Sequence, residues 1–286
     1  LRERLRHPPE VWAAGEPWCL LPLPSPDRPR LRPTRWNLKR VRATFAWLAS
    51  YSLSGVWRLL GRVGIRLRQG RPQLFSPDPD YEAKEAGLLA VLTEAARQPG
   101  RVVALFLDEL TYYHWPLPAS DWAERKSPAL VAKRAAPGNK QTRIVGALNA
   151  LTAQVSYRQA AKIDRRCFIR FLKQLAQEYP EAEVIYIILD NWPVHAHPEV
   201  LAAVEQLPQL QLVFLPTYSP WLNPIEKLWD WLKAEVIKMH RLAGHYPQLK
   251  QKVAEFLDLF APGSATLLRR VGLTGNGKLA RAIQSA

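Results

Sequence analysis

The chain has 286 residues, of which 48% are hydrophobic, so it is long enough for one large domain or two modest ones with a sizeable core. It contains no apolar run of membrane-spanning length, so we expect no membrane span, and its first residues lack an apolar signal region and so give no sign of secretion. The two cysteines, Cys19 and Cys167, share no motif spacing, so we expect a reducing compartment and no thiolate metal site.

The net charge of +15 is concentrated at the two ends of the chain. Residues 1–75 hold 15 Lys and Arg against 4 Asp and Glu, and residues 261–286 hold 4 against none, whereas residues 76–260 hold 21 of each. This pattern predicts a polyanionic partner that is bound by the ends and processed by the middle. The alternative is a solubility bias of an Arg-rich proteome, but such a bias would not confine the excess to the ends.

The first part of the chain divides into a Pro- and Arg-rich segment, residues 1–33, and a helical region with its linker, residues 34–75. Thr34 is a candidate cap for a helix that starts near Arg35, and Ser52 or Ser54 for a second helix. Two short helices around a tight turn indicate a helix-turn-helix, although an ordinary helical hairpin remains the alternative. Four arginines on or just after the second helix are the candidate DNA-binding residues: Arg58, Arg62, Arg66 and Arg68.

Residues 76–260 have the pattern of an α/β domain, and residues 261–286 form a basic C-terminal tail. After a helix to Arg97 we predict a strand, an irregular stretch over 111–139, and then strands and helices in alternation. The predicted strands are 102–107, 142–149, 152–157, 184–189 and 210–215. The expected fold class is α/β, with a mixed sheet flanked by helices and preceded by the small all-α region.

Three acids occupy positions that suit a metal-ion phosphoryl-transfer site. Asp108 and Asp190 each end an apolar run that is predicted to be a strand, and Glu226 lies in the first turn of a helix after a Pro-rich turn. Magnesium prefers hard oxygen ligands, and two such ions can activate a nucleophile and stabilise a leaving oxygen. Rigid elements hold such ligands in place. Asp108 alone could equally be a turn or capping residue.

Asp108 has an acidic neighbour, Glu109, and composition cannot choose between the two. Successive side chains of a strand point to opposite faces, so only one of them can face Asp190 and Glu226. The shorter aspartate has fewer free torsions, which favours Asp108 as the fixed ligand. Glu109 would then pair with a basic residue such as Arg143 or Lys140.

The combined motifs resemble the DDE transposases of the mariner-like insertion-sequence group, over about residues 34–260. The matching residues are Leu107-Asp108-Glu109, Gly146-Ala147-Leu148, Phe171-Leu172, Tyr179-Pro180, Leu189-Asp190-Asn191 with His195, and the run from Pro216 to Trp229 followed by Leu232-Lys233. There are 35 residues between Asp190 and Glu226, which fits the last acid spacing of that group.

The resemblance implies a ribonuclease H-like catalytic domain in which Asp108, Asp190 and Glu226 bind two Mg²⁺ ions, with Mn²⁺ as a possible substitute. It implies double-stranded DNA as the partner, both transposon ends and a target with a TA preference, bound by a homodimer that is cytoplasmic and nucleoid-associated. The family usually carries another helix-turn-helix before the region at 34–65, which residues 1–33 look too short and Pro-rich to contain.

Three further residues are expected to support the site: Asn191, His195 and Asn223. The two asparagines adjoin or precede acids and could orient ligands or phosphate, with turn capping as the alternative. The activity predicted is that of a metal-dependent endonuclease and DNA strand transferase. Two alternatives are a catalytically silent DNA-binding protein descended from a transposase and a metal-dependent nuclease without strand transfer.

Overall fold

The computed structural model of the chain describes residues 1, 5, 35–68, 75–124, 128, 130–134 and 138–286. The chain divides into two compact units, Leu1–Gln73 and Leu74–Ala286, and each is described by itself. The Pro- and Arg-rich segment predicted at 1–33 lies outside the described residues apart from residues 1 and 5. In the described part of the chain, no helix is long and apolar enough to cross a membrane.

The first unit is helical, as predicted. Helix α1 covers Leu38–Thr44 and helix α2 covers Leu53–Arg62, with a short 3-10 turn at Ala46–Leu48 between them. Ser52 caps α2 by accepting a hydrogen bond from the Gly55 amide. The predicted start of the first helix near Arg35 was wrong, because α1 begins at Leu38 and Asn37, directly before it, caps it by accepting a hydrogen bond from the Arg40 amide. The predicted cap, Thr34, lies outside the described residues. The two helices pack through a small core: Val41, Phe45, Leu48, Val56 and Leu60.

The second unit contains a five-stranded mixed sheet with the order β3-β2-β1-β4-β5. Its strands are β1 Val102–Tyr113, β2 Gln141–Asn149, β3 Val155–Ala160, β4 Val184–Leu189 and β5 Leu210–Phe214. Strand β2 pairs antiparallel with both β1 and β3, whereas β4 pairs parallel with both β1 and β5. Parallel strands need crossover connections, and helices supply them on either side of β4.

Helices cover both faces of this sheet. They are α3 Tyr81–Arg97, α4 Arg165–Glu178, α5 Pro198–Glu205, α6 Ile225–Leu232, α7 Tyr246–Asp258, α8 Ala265–Val271 and α9 Lys278–Gln284. One core joins α4 and α5 to the face of the sheet that carries Val103, Leu105 and Leu107. The other core lies on the opposite face, which carries Ala104 and Phe106, and it includes residues of α3, α6, α7, α8 and α9. The alternation along β1 therefore divides the two cores.

Three features of this unit differ from the expectations drawn from sequence. Strand β1 does not end at Leu107 but continues to Tyr113, because its second half pairs with β2 down to Gln141. Strand β3 begins at Val155 and not at residue 152, since the turn before it includes Ala153 at a positive φ of 53°. Residues 261–286, separated as a basic tail, fold into α8 and α9 and bury apolar side chains in the core of this unit.

Candidate active site

Asp108 and Asp190 lie at the same height in the sheet, at the end of β4. The last parallel pair between β1 and β4 joins Phe106 to Ile188, and each acid lies two residues further along its own chain. Asp190 directly follows β4, as predicted. Asp108 is not at a strand end, because β1 continues past it along β2. The parallel register therefore brings the two acids to the same edge.

Glu226 reaches this edge through the segment that follows β5. Residues 215–224 contain a 3-10 turn at Pro220–Leu222, and α6 then begins at Ile225, so Glu226 falls in its first turn. Ile225, Leu228 and Trp229 are buried on the inner side of α6 and anchor the helix on the sheet. A rigid turn and a buried helical face thus determine where the carboxylate of Glu226 lies.

All three predicted acids line one cleft of about 550 Å³. Its other walls are Asn191–Pro193, the segment Leu215–Pro220, and Asn223. Glu109 is not part of this lining. The structure therefore brings together the three acids and the two asparagines that the sequence singled out.

The carboxylates of the cleft repel one another and are partly withdrawn from water. Burial and repulsion from Glu109, Glu226 and Asp190 raise the pKa of Asp108 to about 7. Burial and repulsion from nearby acids also raise the pKa of Glu226. At Asp190, burial acts to raise the pKa, but hydrogen bonds from His195 and from the Trp192 amide outweigh it and lower the pKa. A bound cation would relieve the repulsion between these groups.

His195 is fully buried on the face of the sheet opposite Asp108, where its ring lies 4.7 Å from that of Phe168. Its Nδ1 lies 3.1 Å from Oδ1 of Asp190, and its Nε2 lies 3.1 Å from Oε1 of Glu109. Burial lowers the pKa of His195, but the two carboxylates outweigh burial and raise it to about 10. The protonated ring therefore connects Glu109 to Asp190.

The expected partner of Glu109, Arg143 or Lys140, was wrong, because the described contact of its carboxylate is with His195. Alternation along an extended β1 explains this outcome. Asp108 faces α6 together with Phe106 and Leu110, whereas Glu109 faces α4 together with Leu107. Sequence reasoning separated the two faces but had no signal for which residue would contact Glu109.

Asp108 has one close neighbour that sequence reasoning did not connect with it. Nε1 of Trp229 donates a hydrogen bond to Oδ2 of Asp108 at 3.0 Å, and the indole is 2% exposed. Gly146 stands opposite Asp108 in the register of β1 and β2. A Cβ atom added at Gly146 would lie 2.6 Å from Cη2 of Trp229, so the indole occupies the space that a side chain would fill.

The two asparagines hold backbone groups around the cleft. Nδ2 of Asn191 donates to the Leu215 carbonyl at 2.8 Å, and Nδ2 of Asn223 donates to the Leu107 carbonyl at 3.2 Å. The Oδ1 atom of Asn223 is buried and has no hydrogen-bond partner among the described residues. An amide oxygen in that state, beside carboxylates, can accept a further ligand.

The wall of the cleft formed by Leu215–Pro220 is hydrogen-bonded to the segment just before α3. Asp78 accepts a hydrogen bond from the Thr217 amide at 2.8 Å, and Ser76 donates to the Thr217 carbonyl at 2.5 Å. The next residue, Tyr218, has a positive φ of 53° and is 77% exposed at the cleft. The Pro-rich composition around residues 76–80 carried no sign of these contacts.

Arg58, Arg62, Arg66 and Arg68 are all exposed in the first unit. Arg58 and Arg62 lie on α2, and the other two follow it. The structure thus leaves four cationic side chains at the end of the second helix open to solvent.

The donor set fits a magnesium-type ion. Among the described residues, no three His, Cys, Asp or Glu side chains are close enough to enclose an ion by themselves. Magnesium does not need such a cage, because one or two carboxylates usually bind it and it keeps several waters. Three carboxylates around an open cleft, together with the free oxygen of Asn223, are hard oxygen donors of the kind it prefers.

The sheet order and the helices on both faces define a ribonuclease H-like fold, and two solved structures share it. The chain superposes on a pre-cleavage Mos1 transpososome with a TM-score of 0.62 and 17% identity, over 88% of this chain and 73% of that one. It superposes on the mariner Mos1 paired end complex with Mg with a TM-score of 0.59 and 16% identity, over 93% of this chain and 82% of that one. The predicted fold class is therefore confirmed.

Residues 91–250, more than half of the chain, match the family described as DDE superfamily endonuclease. The chain is also 28% identical over 233 residues to the insertion element IS630 uncharacterized 39 kDa protein of Shigella sonnei. That match covers 80% of this chain and 66% of the relative, slightly less than two thirds of its length. The chain belongs to the DDE superfamily endonucleases, and the resemblance to DDE transposases is confirmed.

Proposed function

We propose that this protein is a DNA transposase that binds the ends of its own element, cleaves phosphodiester bonds there and joins the ends to target DNA. The observation that carries the proposal is the convergence of Asp108, Asp190 and Glu226 on one cleft of a ribonuclease H-like fold. Membership of the DDE endonucleases and similarity to an insertion-element protein support it.

Asp108, Asp190 and Glu226 would hold the divalent ions, two Mg²⁺ in our proposal, with Asn223 as a neutral oxygen donor beside them. Bound ions of this kind activate an attacking hydroxyl and stabilise the leaving oxygen of an in-line displacement. Burial, followed by repulsion from neighbouring acids, raises the pKa of Asp108 to about 7, and such ions would neutralise that repulsion. The Mos1 relatives include paired end complexes described as containing Mg or Mn.

The residues around the acids have separate tasks in this proposal. Protonated His195 keeps Asp190 ionised and fixes its orientation through the contact at 3.1 Å. Asn191, next to Asp190, holds the cleft wall in place through its hydrogen bond of 2.8 Å to the Leu215 carbonyl. The Pro-rich turn and the buried side of α6 hold Glu226 at the cleft. Such preorganisation lets the site bind a scissile phosphate without rearrangement.

The first unit would bind DNA through its two helices, in the manner of a helix-turn-helix. Its exposed arginines, Arg58, Arg62, Arg66 and Arg68, would neutralise phosphates near a helix that can enter a groove. Two of the basic residues at 261–286 already have contacts within the second unit, so they are less available to bind DNA phosphates. Lys278 forms an ion pair with Glu85, and the guanidinium of Arg270 lies 4.1 Å from the centre of the Trp231 ring.

The proposed partners are the two ends of the element and a target DNA, with the TA preference that the family resemblance implies. Cleavage and joining at two ends require two active sites, so we propose a homodimer as the working form. One of the similar Mos1 structures is described as a paired end complex, and our proposal extends that arrangement to the present chain.

One assay separates the proposal from its two alternatives. The full chain is incubated with Mg²⁺, a labelled duplex that carries the element's own ends, and an unlabelled target plasmid. A transposase yields cleaved ends and joined products, a nuclease without strand transfer yields only cleaved ends, and a silent DNA-binding protein yields neither. Binding of the end duplex with neither product would overturn the proposed activity.

A further inference from the structure

We propose that Trp229 is a positioning residue for Asp108, and that Gly146 is required because it leaves room for the Trp229 indole. This inference rests on the proposed function, since it treats Asp108 as an acid that holds a divalent ion. It concerns three residues on three different elements, β1, β2 and α6, that meet at one point of the sheet.

The hydrogen bond between Trp229 and Asp108 determines how the carboxylate is turned. The indole donates to Oδ2 at 3.0 Å, and indole nitrogen is a donor only. Fixing Oδ2 restricts rotation of the carboxylate about its last torsion, so the direction of Oδ1 is restricted as well. Nearly all of the Trp229 side chain is buried, and it is packed in the core that α6 shares with β1. The donor therefore has little freedom to follow a moving acid.

The indole N–H of Trp229 is also a suitable donor to the Asp108 carboxylate because it carries no charge. A neutral N–H donor stabilises the carboxylate without forming an ion pair that would compete with a metal for it. An Arg or Lys at the position of Trp229 would supply the same hydrogen bond with a competing charge.

Gly146 makes this geometry possible. Directly opposed residues of an antiparallel pair share one face of the sheet, so a side chain at Gly146 would stand beside that of Asp108. The indole fills that place instead. A Cβ atom at Gly146 would lie 2.6 Å from Cη2 and 3.0 Å from Cζ2 of Trp229, closer than side chains pack. Even alanine would have to displace the indole and, with it, the donor of Asp108.

The first variant is Trp229→Phe, which removes the donor and keeps an aromatic ring. Trp231→Phe is the matched control, because Trp231 lies on the same helix but does not line the cleft. Its Nε1 donates a hydrogen bond to Oε1 of Glu235 at 3.1 Å. Partners that orient metal ligands typically contribute about 10-fold to 100-fold to metal affinity or activity. We expect Trp229→Phe to lower the rate of end cleavage by a factor in that range, while Trp231→Phe stays within about twofold of wild type.

Two measurements besides cleavage distinguish positioning from general packing. Free Mn²⁺ is followed by electron paramagnetic resonance during titration of the protein, and end-DNA binding is measured in Ca²⁺. Trp229→Phe is expected to weaken Mn²⁺ binding by about the same factor as cleavage and to leave DNA binding within about twofold. Equal Mn²⁺ binding by Trp229→Phe and Trp231→Phe would overturn the inference.

A substitution that preserves the shape of the side chain serves as the control for misfolding. Benzothienylalanine at position 229 replaces the indole N–H by sulfur and keeps the two fused rings, so the packing is retained while the donor is lost. Mn²⁺ binding by this form must fall as it does for Trp229→Phe. If it matches wild type, Trp229 acts through packing alone and the proposal is wrong.

Gly146→Ala tests the second half of the inference. In wild type it is expected to reproduce the losses of Trp229→Phe, whereas in a Trp229→Phe background it should add little, because the outer ring carbons are gone. Additive losses would contradict the coupling. A wild-type chain that binds Mn²⁺ but fails to cleave end DNA would instead overturn the proposed function, and the Mn²⁺ readout would still test the positioning.

Discussion

Oε1 of Glu109 lies 3.1 Å from Nε2 of His195, on the face of the sheet opposite its neighbour Asp108. The imidazole ring then reaches Asp190 through its other nitrogen, also at 3.1 Å. Two adjacent acids of β1 thus have different positions, one at the cleft and one behind it. Glu109 is linked to Asp190 through His195, and its charge also acts on Asp108, whose pKa it helps to raise.

The first prediction separates these two acids. Asp108→Asn should lower the cleavage rate by more than about 100-fold, since loss of a metal-binding carboxylate exceeds the usual effect of losing an orienting partner. Glu109→Gln should cost less than about tenfold, because Glu109 does not line the cleft and acts on its acids only indirectly, through His195 and through its charge. The measurement is the rate of end cleavage at saturating metal and DNA. A larger loss for Glu109→Gln would show that the wrong acid was assigned to the site.

The second prediction concerns Asp190 and DNA binding. Asp190→Asn should abolish cleavage in Mg²⁺ or Mn²⁺ and leave the affinity for end DNA unchanged or slightly higher, because one negative charge facing the phosphates is removed. Filter binding or gel shift in Ca²⁺ checks affinity, and the same preparation is assayed for cleavage. Cleavage at a wild-type rate would remove Asp190 from the metal-binding set.

The third prediction concerns the four arginines of the first unit. Replacing Arg58, Arg62, Arg66 and Arg68 by Gln should weaken end-DNA binding and reduce its salt dependence, because fewer phosphates are neutralised. The slope of log affinity against log salt concentration should become shallower by about 0.9 for each phosphate that is no longer neutralised. Thermal unfolding should be little affected, because all four side chains are exposed. An unchanged slope would mean that DNA is bound elsewhere on the chain.

The fourth prediction concerns the wall of the cleft. Hydrogen bonds from Lys84 and the Thr217 amide lower the pKa of Asp78 in the folded state, so its stabilising effect is present above the ordinary Asp pKa of about 3.9. That contribution is lost as the pH falls through the lowered pKa. Asp78→Asn should therefore reduce the melting temperature near neutral pH, and the difference from wild type should shrink in acid. A difference in melting temperature that stayed constant as the pH fell would contradict this account.

The main features of the fold and of the cleft could be predicted from local patterns. Apolar runs identified three of the strands closely, β2, β4 and β5, and alternation within β1 placed Asp108 and Glu109 on different faces. The end of β1 was missed because its second half, Glu109 to Tyr113, is polar or aromatic except for Leu110 and is held in the sheet by pairing with β2. That pairing depends on residues more than 25 positions away, which local patterns do not report.

The partners of the acids were less predictable for a similar reason. The contacts of Asp108 with Trp229 and of Glu109 with His195 join residues that are far apart in sequence. A glycine at position 146 and a tryptophan at 229 each have common structural explanations, and only the cross-strand register shows that one makes room for the other. The helices at 265–284 were missed because basic charge suggested a solvent-exposed tail, while their apolar residues pack into the core.

The most direct test of the central claim compares two acids on α6. Glu226 lines the cleft, whereas Asp230, one turn further on, is absent from its lining and has a 77% exposed side chain. The measurement is the yield of joined product from labelled end DNA and a target plasmid in Mg²⁺. We predict that Glu226→Gln gives no joined product while Asp230→Asn gives nearly the wild-type yield. Joined product from Glu226→Gln at the wild-type level would contradict a catalytic site built from Asp108, Asp190 and Glu226.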